Sequence, residues 1–125
     1  MKILVLSDRV DDYLMTEPGL DGVRDVDLIL SCGDLPYDYL EYLITLVGAP
    51  FLYVLGNHDR PTVRQSGAIT PEPEGGTNVD RTVRSVRGRN GDLLLVGGLQ
   101  GTRRCSVEDR GTTELGLLAG VLRML

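Results

Sequence analysis

No apolar run in this chain approaches the roughly 18 residues that a membrane-spanning helix needs, so the sequence predicts no bilayer partner. The opening MKILVLSDRV breaks its apolar stretch at Ser7-Asp8, which does not fit a secretory leader. Positive charge is thin as well: 13 Lys and Arg stand against 18 Asp and Glu, the net charge is -5, and only Arg103 and Arg104 are adjacent. A nucleic-acid backbone favours a concentrated basic patch, so it is not predicted as the standing partner. An acidic surface still admits an anionic substrate, because bound metal ions can supply local positive charge. Cysteine is limited to Cys32 and Cys105, far apart and without a CxxC pair. That pattern reads as reduced thiols in a cytoplasmic protein, with Cys32, at the end of an apolar run, expected as a small buried hydrophobe. Histidine is scarcer still: His58 is the single one.

What is present suffices for one domain. The chain has 125 residues, of which 42% are apolar, an ordinary composition for a globular fold. Three short apolar runs, 2–6, 26–31 and 51–55, are each closed by Gly, Asp or Asn. Their length and boundaries predict strands buried on both faces. Between the second and third, Leu40, Leu43, Ile44 and Val47 fall at i, i+3, i+4 and i+7, one face of a helix. Pro36 suits its first turn and Gly48 its end. Residues 11–24 hold at most a short helix. The strand–helix–strand rhythm predicts an α/β fold with a parallel sheet.

Further along, residues 60–80 carry Pro61, Pro71, Pro73 and three glycines with no apolar periodicity, which predicts a mobile flap beside His58. Residues 82–87 and 92–96 read as a hairpin around the turn Gly88-Arg89-Asn90-Gly91. The segment 112–125 reads as a terminal helix with Leu115, Leu118, Ala119 and Leu122 on one face.

The chemistry sits at the strand ends. Each of the first three strands hands over to a metal-ligand or acidic residue: Asp8, then Asp34, then Asn57-His58-Asp59. In open α/β sheets, sites form beyond the carboxyl ends of the strands, so these residues are expected to share one cleft. Asp8 or Gly33-Asp34 alone would be read as a cap or a turn pair. A turn, however, has no reason to demand His-Asp after Gly56-Asn57. Oxygen and imidazole donors suit manganese, iron or zinc, and a bridging carboxylate suits a two-metal clamp on a phosphoryl group.

Ser7-Asp8, Gly33-Asp34 and Gly56-Asn57-His58-Asp59, each after a strand, resemble the opening motifs of the calcineurin-like metallophosphoesterases. The wording Ser7-Asp8-Arg9-Val10, Cys32-Gly33-Asp34-Leu35-Pro36-Tyr37 and Leu40-Glu41-Tyr42 is similar to that of a prokaryotic subgroup. Val96-Gly97-Gly98-Leu99-Gln100-Gly101 is similar to the family's later strand-and-loop region. The resemblance implies half of the layered α-β-β-α sandwich, parallel strands followed by a hairpin. It implies two divalent metal ions as cofactors and a phosphate ester, mono or di, as substrate. Asp8 would ligate the first metal, Asp34 would bridge both, and Asn57 would ligate the second. His58 would contact the phosphate and protonate the leaving oxygen, and Asp59 would orient His58.

The chain departs from the family pattern in two respects. Val10 stands where the usual Asp-x-His motif has its histidine, and Arg9 has no lone pair to replace it. The family's other metal-binding histidines lie in later motifs, and no histidine follows His58. The expectation is therefore one domain over 1–125, resembling an N-terminal half, with an incomplete metal site. The missing groups would come from a C-terminal half or a second copy. The alternative is a non-catalytic binding or assembly module that keeps the fold. A dinucleotide-binding domain is disfavoured, because the first strand leads to Ser-Asp-Arg-Val and not to a glycine-rich phosphate loop.

Overall fold

Residues 1–101, with 119, 121, 122 and 124, are described by the structure, a computed structural model. In chain order the elements are β1 (Ile3–Leu6), a 3₁₀ turn (Asp12–Met15), α1 (Glu17–Asp21), β2 (Leu28–Ser31), α2 (Tyr37–Val47) and β3 (Phe51–Tyr53). Then come β4 (Thr62–Val63), β5 (Ile69–Thr70), β6 (Thr77–Asn78), β7 (Val83–Arg87) and β8 (Leu93–Gly97). The three apolar runs become neighbours in one parallel sheet, ordered β1-β2-β3-β6. Leu6 lies beside Ser31 and Ser31 beside Tyr53, so the three strands finish at the same level. This is the expected α/β architecture. Of the terminal helix, Ala119, Val121, Leu122 and Met124 are helical. Its remaining residues, the Arg103-Arg104 pair and Cys105 lie outside the described residues.

The pleat sends alternate side chains to opposite faces, and two separate cores result. On one face Ile29, Phe51 and Tyr53 pack with Leu40, Leu43 and Val47 of α2 and with Leu14 and Leu20. On the other, Leu28 and Leu52 pack with Val79, Val86, Leu94 and Val96, so the β7–β8 hairpin forms a second β layer. Leu28 and Ile29 are both fully buried, which is why β2 reads as an unbroken apolar run. β1 differs from expectation. It is an edge strand, and Ile3 and Val5, on the face that the hairpin covers elsewhere, remain exposed. α2 ends as its sequence suggests, with Gly48 at φ 69°, while Pro36 stands just before the first turn, at the N-cap, and makes no side-chain cap hydrogen bond.

Residues 60–80 correct the expectation of a mobile flap. Thr62 pairs with Thr70 and Val63 with Ile69 as a small antiparallel hairpin. β6 then adds to the main sheet beside β3. Apolar periodicity is absent because polar fastenings replace it. Arg64 forks onto the Glu41 carboxylate of α2, Nη1 to Oε2 at 2.7 Å and Nη2 to Oε1, while its Nε donates to Thr70 Oγ1. The Glu74 N–H also donates to Glu41 Oε1. Tyr37 Oη donates to the Pro71 carbonyl, and Tyr53 Oη donates to Glu72 Oε2 at 2.8 Å. Burial, reinforced by the Glu72 carboxylate, raises the Tyr53 phenol well above its ordinary value, so it remains a donor.

The Arg64 guanidinium holds the Glu41 carboxyl below its ordinary value of 4.5. A depressed folded-state value means that the pair's contribution is fully present above the unfolded value and is lost as pH falls through the folded one. Glu41→Gln should therefore lower unfolding free energy by about 1 kcal/mol at neutral pH. The difference from wild type should vanish in urea titrations taken well below pH 4.5. Amide exchange in residues 62–70 should quicken in the same variant.

Candidate active site at the carboxyl ends of the strands

Strand-like pairing continues past the sheet and draws the three handover loops together. The Cys32 N–H donates to the Leu6 carbonyl at 2.9 Å, the Asp8 N–H to Gly33 O at 3.2 Å, and the Val54 N–H to Ser31 O at 3.1 Å. Beyond that level the loops nearly touch. A Cβ on Gly33 would lie 2.2 Å from Gly56 N, and one on Gly56 would lie 2.2 Å from Asp34 Oδ1. Gly33 also has φ 94°, so glycine is required there on both counts. Asp8 and Asp34 adopt left-handed backbone at φ 62° and 61°. Such positions cost non-glycine residues energy and concentrate where function holds them.

Asp34 and His58 are in direct contact. Asp34 Oδ1 accepts the His58 backbone N–H at 2.9 Å, and Oδ2 lies 3.2 Å from His58 Nδ1. A carboxylate only accepts, so Nδ1 carries the proton, and in the neutral ring Nε2 faces Asn57 Nδ2 at 3.4 Å. The imidazole itself is largely exposed. Asp59 does not make the expected orienting contact. It is buried, and its Oδ2 accepts from Asp34 N at 2.9 Å and from Gly56 N at 2.8 Å. Asp59 thus pins the second and third loops to each other, and Asp34 orients the ring. Arg60 Nη1 closes the turn by donating to the carbonyls of Asn57 and Asp59.

Asp34 stands between two cavities. One, of about 420 Å³, is lined by Ser7, Asp8, Cys32, Asn57 and by Gly97, Gly98 and Gly101 as well as Asp34. The other, of about 270 Å³, is lined by His58, Asp59, Arg60 and Tyr37 as well as Asp34. Asp8, Asp34 and Asn57 are therefore brought to one cleft, and His58 faces the neighbouring one. Cys32 is exposed at the first cleft, which corrects the expectation of a buried hydrophobe. Its run ends one residue earlier, at Ser31, whose side is buried.

The wall from Gly97 to Gly101 was not read from the sequence as part of the site. It is held there by Gln100 N donating to Asp80 Oδ1 and Gly101 N to Leu55 O. The Gly97-Gly98 pair was the available signal: a Cβ on Gly98 would lie 2.7 Å from both Val54 and Val79 side chains.

Two carboxylates and an amide oxygen have the right hardness for manganese, iron or zinc. Among the described residues, however, no three His, Cys, Asp or Glu side chains converge to hold an ion. These residues alone do not fit a closed binuclear centre. The described residues also contain no helix long and apolar enough to cross a membrane.

A parallel α/β sheet backed by a β hairpin layer is consistent with part of the metallophosphoesterase fold. The profile of the calcineurin-like phosphoesterase superfamily domain matches residues 1–110, and the chain belongs to that superfamily. Neither the curated proteins nor the solved structures gave a match.

Asp59→Ala strands two backbone N–H groups and should lower stability by roughly 2–4 kcal/mol in chemical denaturation. His58→Ala removes an exposed ring and should change stability by no more than about 0.5 kcal/mol. Equal losses for the two would refute the division of roles between them.

Proposed function

We propose that this chain carries a metal-dependent phosphate-ester hydrolase site. The observation that carries the reading is Asp34, in contact with His58 and lining both the Asp8–Asn57 cleft and the His58 cavity. The phosphoryl group lies in the first cleft, against Asn57 and the Gly97–Gly101 wall. Water attacks phosphorus from that side and releases a proton to solvent, the bond from phosphorus to the leaving oxygen breaks, and that oxygen departs towards His58. The ring hands a proton from Nε2 to that oxygen while Asp34 accepts from Nδ1–H. Asp59 is a positioning residue, acting through the loop geometry it fixes.

Divalent manganese, iron or zinc is the cofactor this reading requires. When bound, such an ion contributes Lewis acidity and lowers the pKa of coordinated water. Asp8, Asp34 and Asn57 are the groups in this chain with which it would be held. With Val10 in the place of a histidine, binding by these residues alone is weak and turnover slow. A second reading, a binding or assembly module that keeps the fold without a competent centre, is favoured by the lack of any three-ligand cluster among the described residues.

Calorimetric titration with manganese and zinc separates the two readings. Binding that is weakened by Asp8→Asn and nearly abolished by Asp34→Asn supports the hydrolase, and heats unaffected by either substitution support the module. Where turnover is measurable, His58→Ala should slow hydrolysis of an alkyl phosphate by roughly 100-fold or more, the range that general acids contribute. The loss should be far smaller for p-nitrophenyl phosphate, whose leaving oxygen needs no proton.

A further inference from the structure

The His58 cavity does not end at His58. It shares Pro36, Tyr37 and Thr62 with a larger cavity of about 820 Å³ that runs along the β4–β5 hairpin. The two adjoin as one groove, and the larger cavity shares no lining residue with the Asp8–Asn57 cleft, which meets the His58 cavity at Asp34. A phosphate ester whose leaving oxygen points at His58 would direct the rest of its alcohol along that groove.

The charge of the groove is uneven. Arg60 lines the end near His58. At the far end Asp38 and Glu74 are exposed carboxylates. Arg64, the cation of that end, is neutralised by its two-pronged bond to Glu41. The remaining far-end groups, Gln65, Ser66 and Thr70 among them, are uncharged. Among the described residues of that end, a second anionic group on the substrate would meet two carboxylates and no cation but the Glu41-paired Arg64.

Building on the hydrolase reading above, we infer that this groove is the leaving-group subsite. It accepts the phosphate ester of a polar alcohol bearing a cationic amine, and it disfavours an alcohol bearing a second anion. The β4–β5 hairpin is the specificity wall, set at its distance from α2 by the Arg64–Glu41 pair. Asp38 and Glu74 supply the charge preference.

Two small esters of similar size and opposite distal charge, O-phosphoethanolamine and 3-phosphoglycerate, test this beside inorganic phosphate. Each is titrated into the chain in zinc-containing buffer while backbone-amide NMR shifts are followed. All three should move the His58 amide and its neighbours. Phosphoethanolamine should in addition move amides in residues 62–70, and should bind more tightly than 3-phosphoglycerate by on the order of fivefold, the scale of exposed charge contacts. The double variant Asp38→Asn/Glu74→Gln should erase that preference. Thr62→Trp, which fills the junction of the two cavities, should remove the shifts beyond it, with thermal unfolding confirming that both variants are folded. Equal affinity for the two esters, or shifts that stop at Arg60, would overturn the groove and leave the phosphate site standing. If inorganic phosphate fails to move His58, the hydrolase reading falls and the groove falls with it.

Discussion

One carboxylate oxygen holds the site together. Asp59 Oδ2 accepts backbone N–H groups from both Asp34 and Gly56, at 2.9 and 2.8 Å, and so ties the loop after β2 to the loop after β3. Bonds from N–H to an ionised carboxylate are the stronger kind, and this one is formed by a buried group. The tie works only because Gly33 and Gly56 let the two backbones approach to distances at which any Cβ would collide. The contact between Asp34 and His58 rests on that approach. Flush strand ends bring the loops to the same level, and Asp59 fixes the separation that remains.

The large elements were legible in the sequence for simple reasons. Leu28 and Ile29 are both buried, so β2 had to be apolar throughout, and Leu40, Leu43 and Val47 mark one stripe of α2. What was hidden is what depends on long-range partners or on backbone angles. Two-residue strands such as Thr62–Val63 carry no period, and Arg64 meets Glu41 across 23 positions. The exposure of Ile3 and Val5 depends on where the hairpin crosses the sheet, which no local pattern records. The exposure of Cys32 depends on the strand stopping at Ser31.

The candidate residues divide in the same way. That Asp8, Asp34, Asn57, His58 and Asp59 stand at strand ends follows from the apolar runs before them. Which carboxylate reaches the imidazole does not. Asp59 is His58's neighbour in sequence, yet the turn directs its side chain back towards the backbone of Asp34, and Asp34 arrives from 24 positions away to meet the ring. The positive φ at Asp34 belongs to that arrangement. The exchange of partners between Asp34 and Asp59 comes from loop geometry.

The way the β4–β5 hairpin is fastened bears on how such a domain can diversify. Its side-chain anchor to the body is Arg64 on Glu41, whereas the carboxyl edge of the sheet depends on backbone pairing and on Asp59. Residues 62–70 can therefore change in length or composition with little effect on the geometry around Asp34. Each such change would re-cut the groove beside an unaltered Asp34–His58 pair. On the hydrolase reading, variety of substrate and constancy of chemistry would fall to different stretches of the chain.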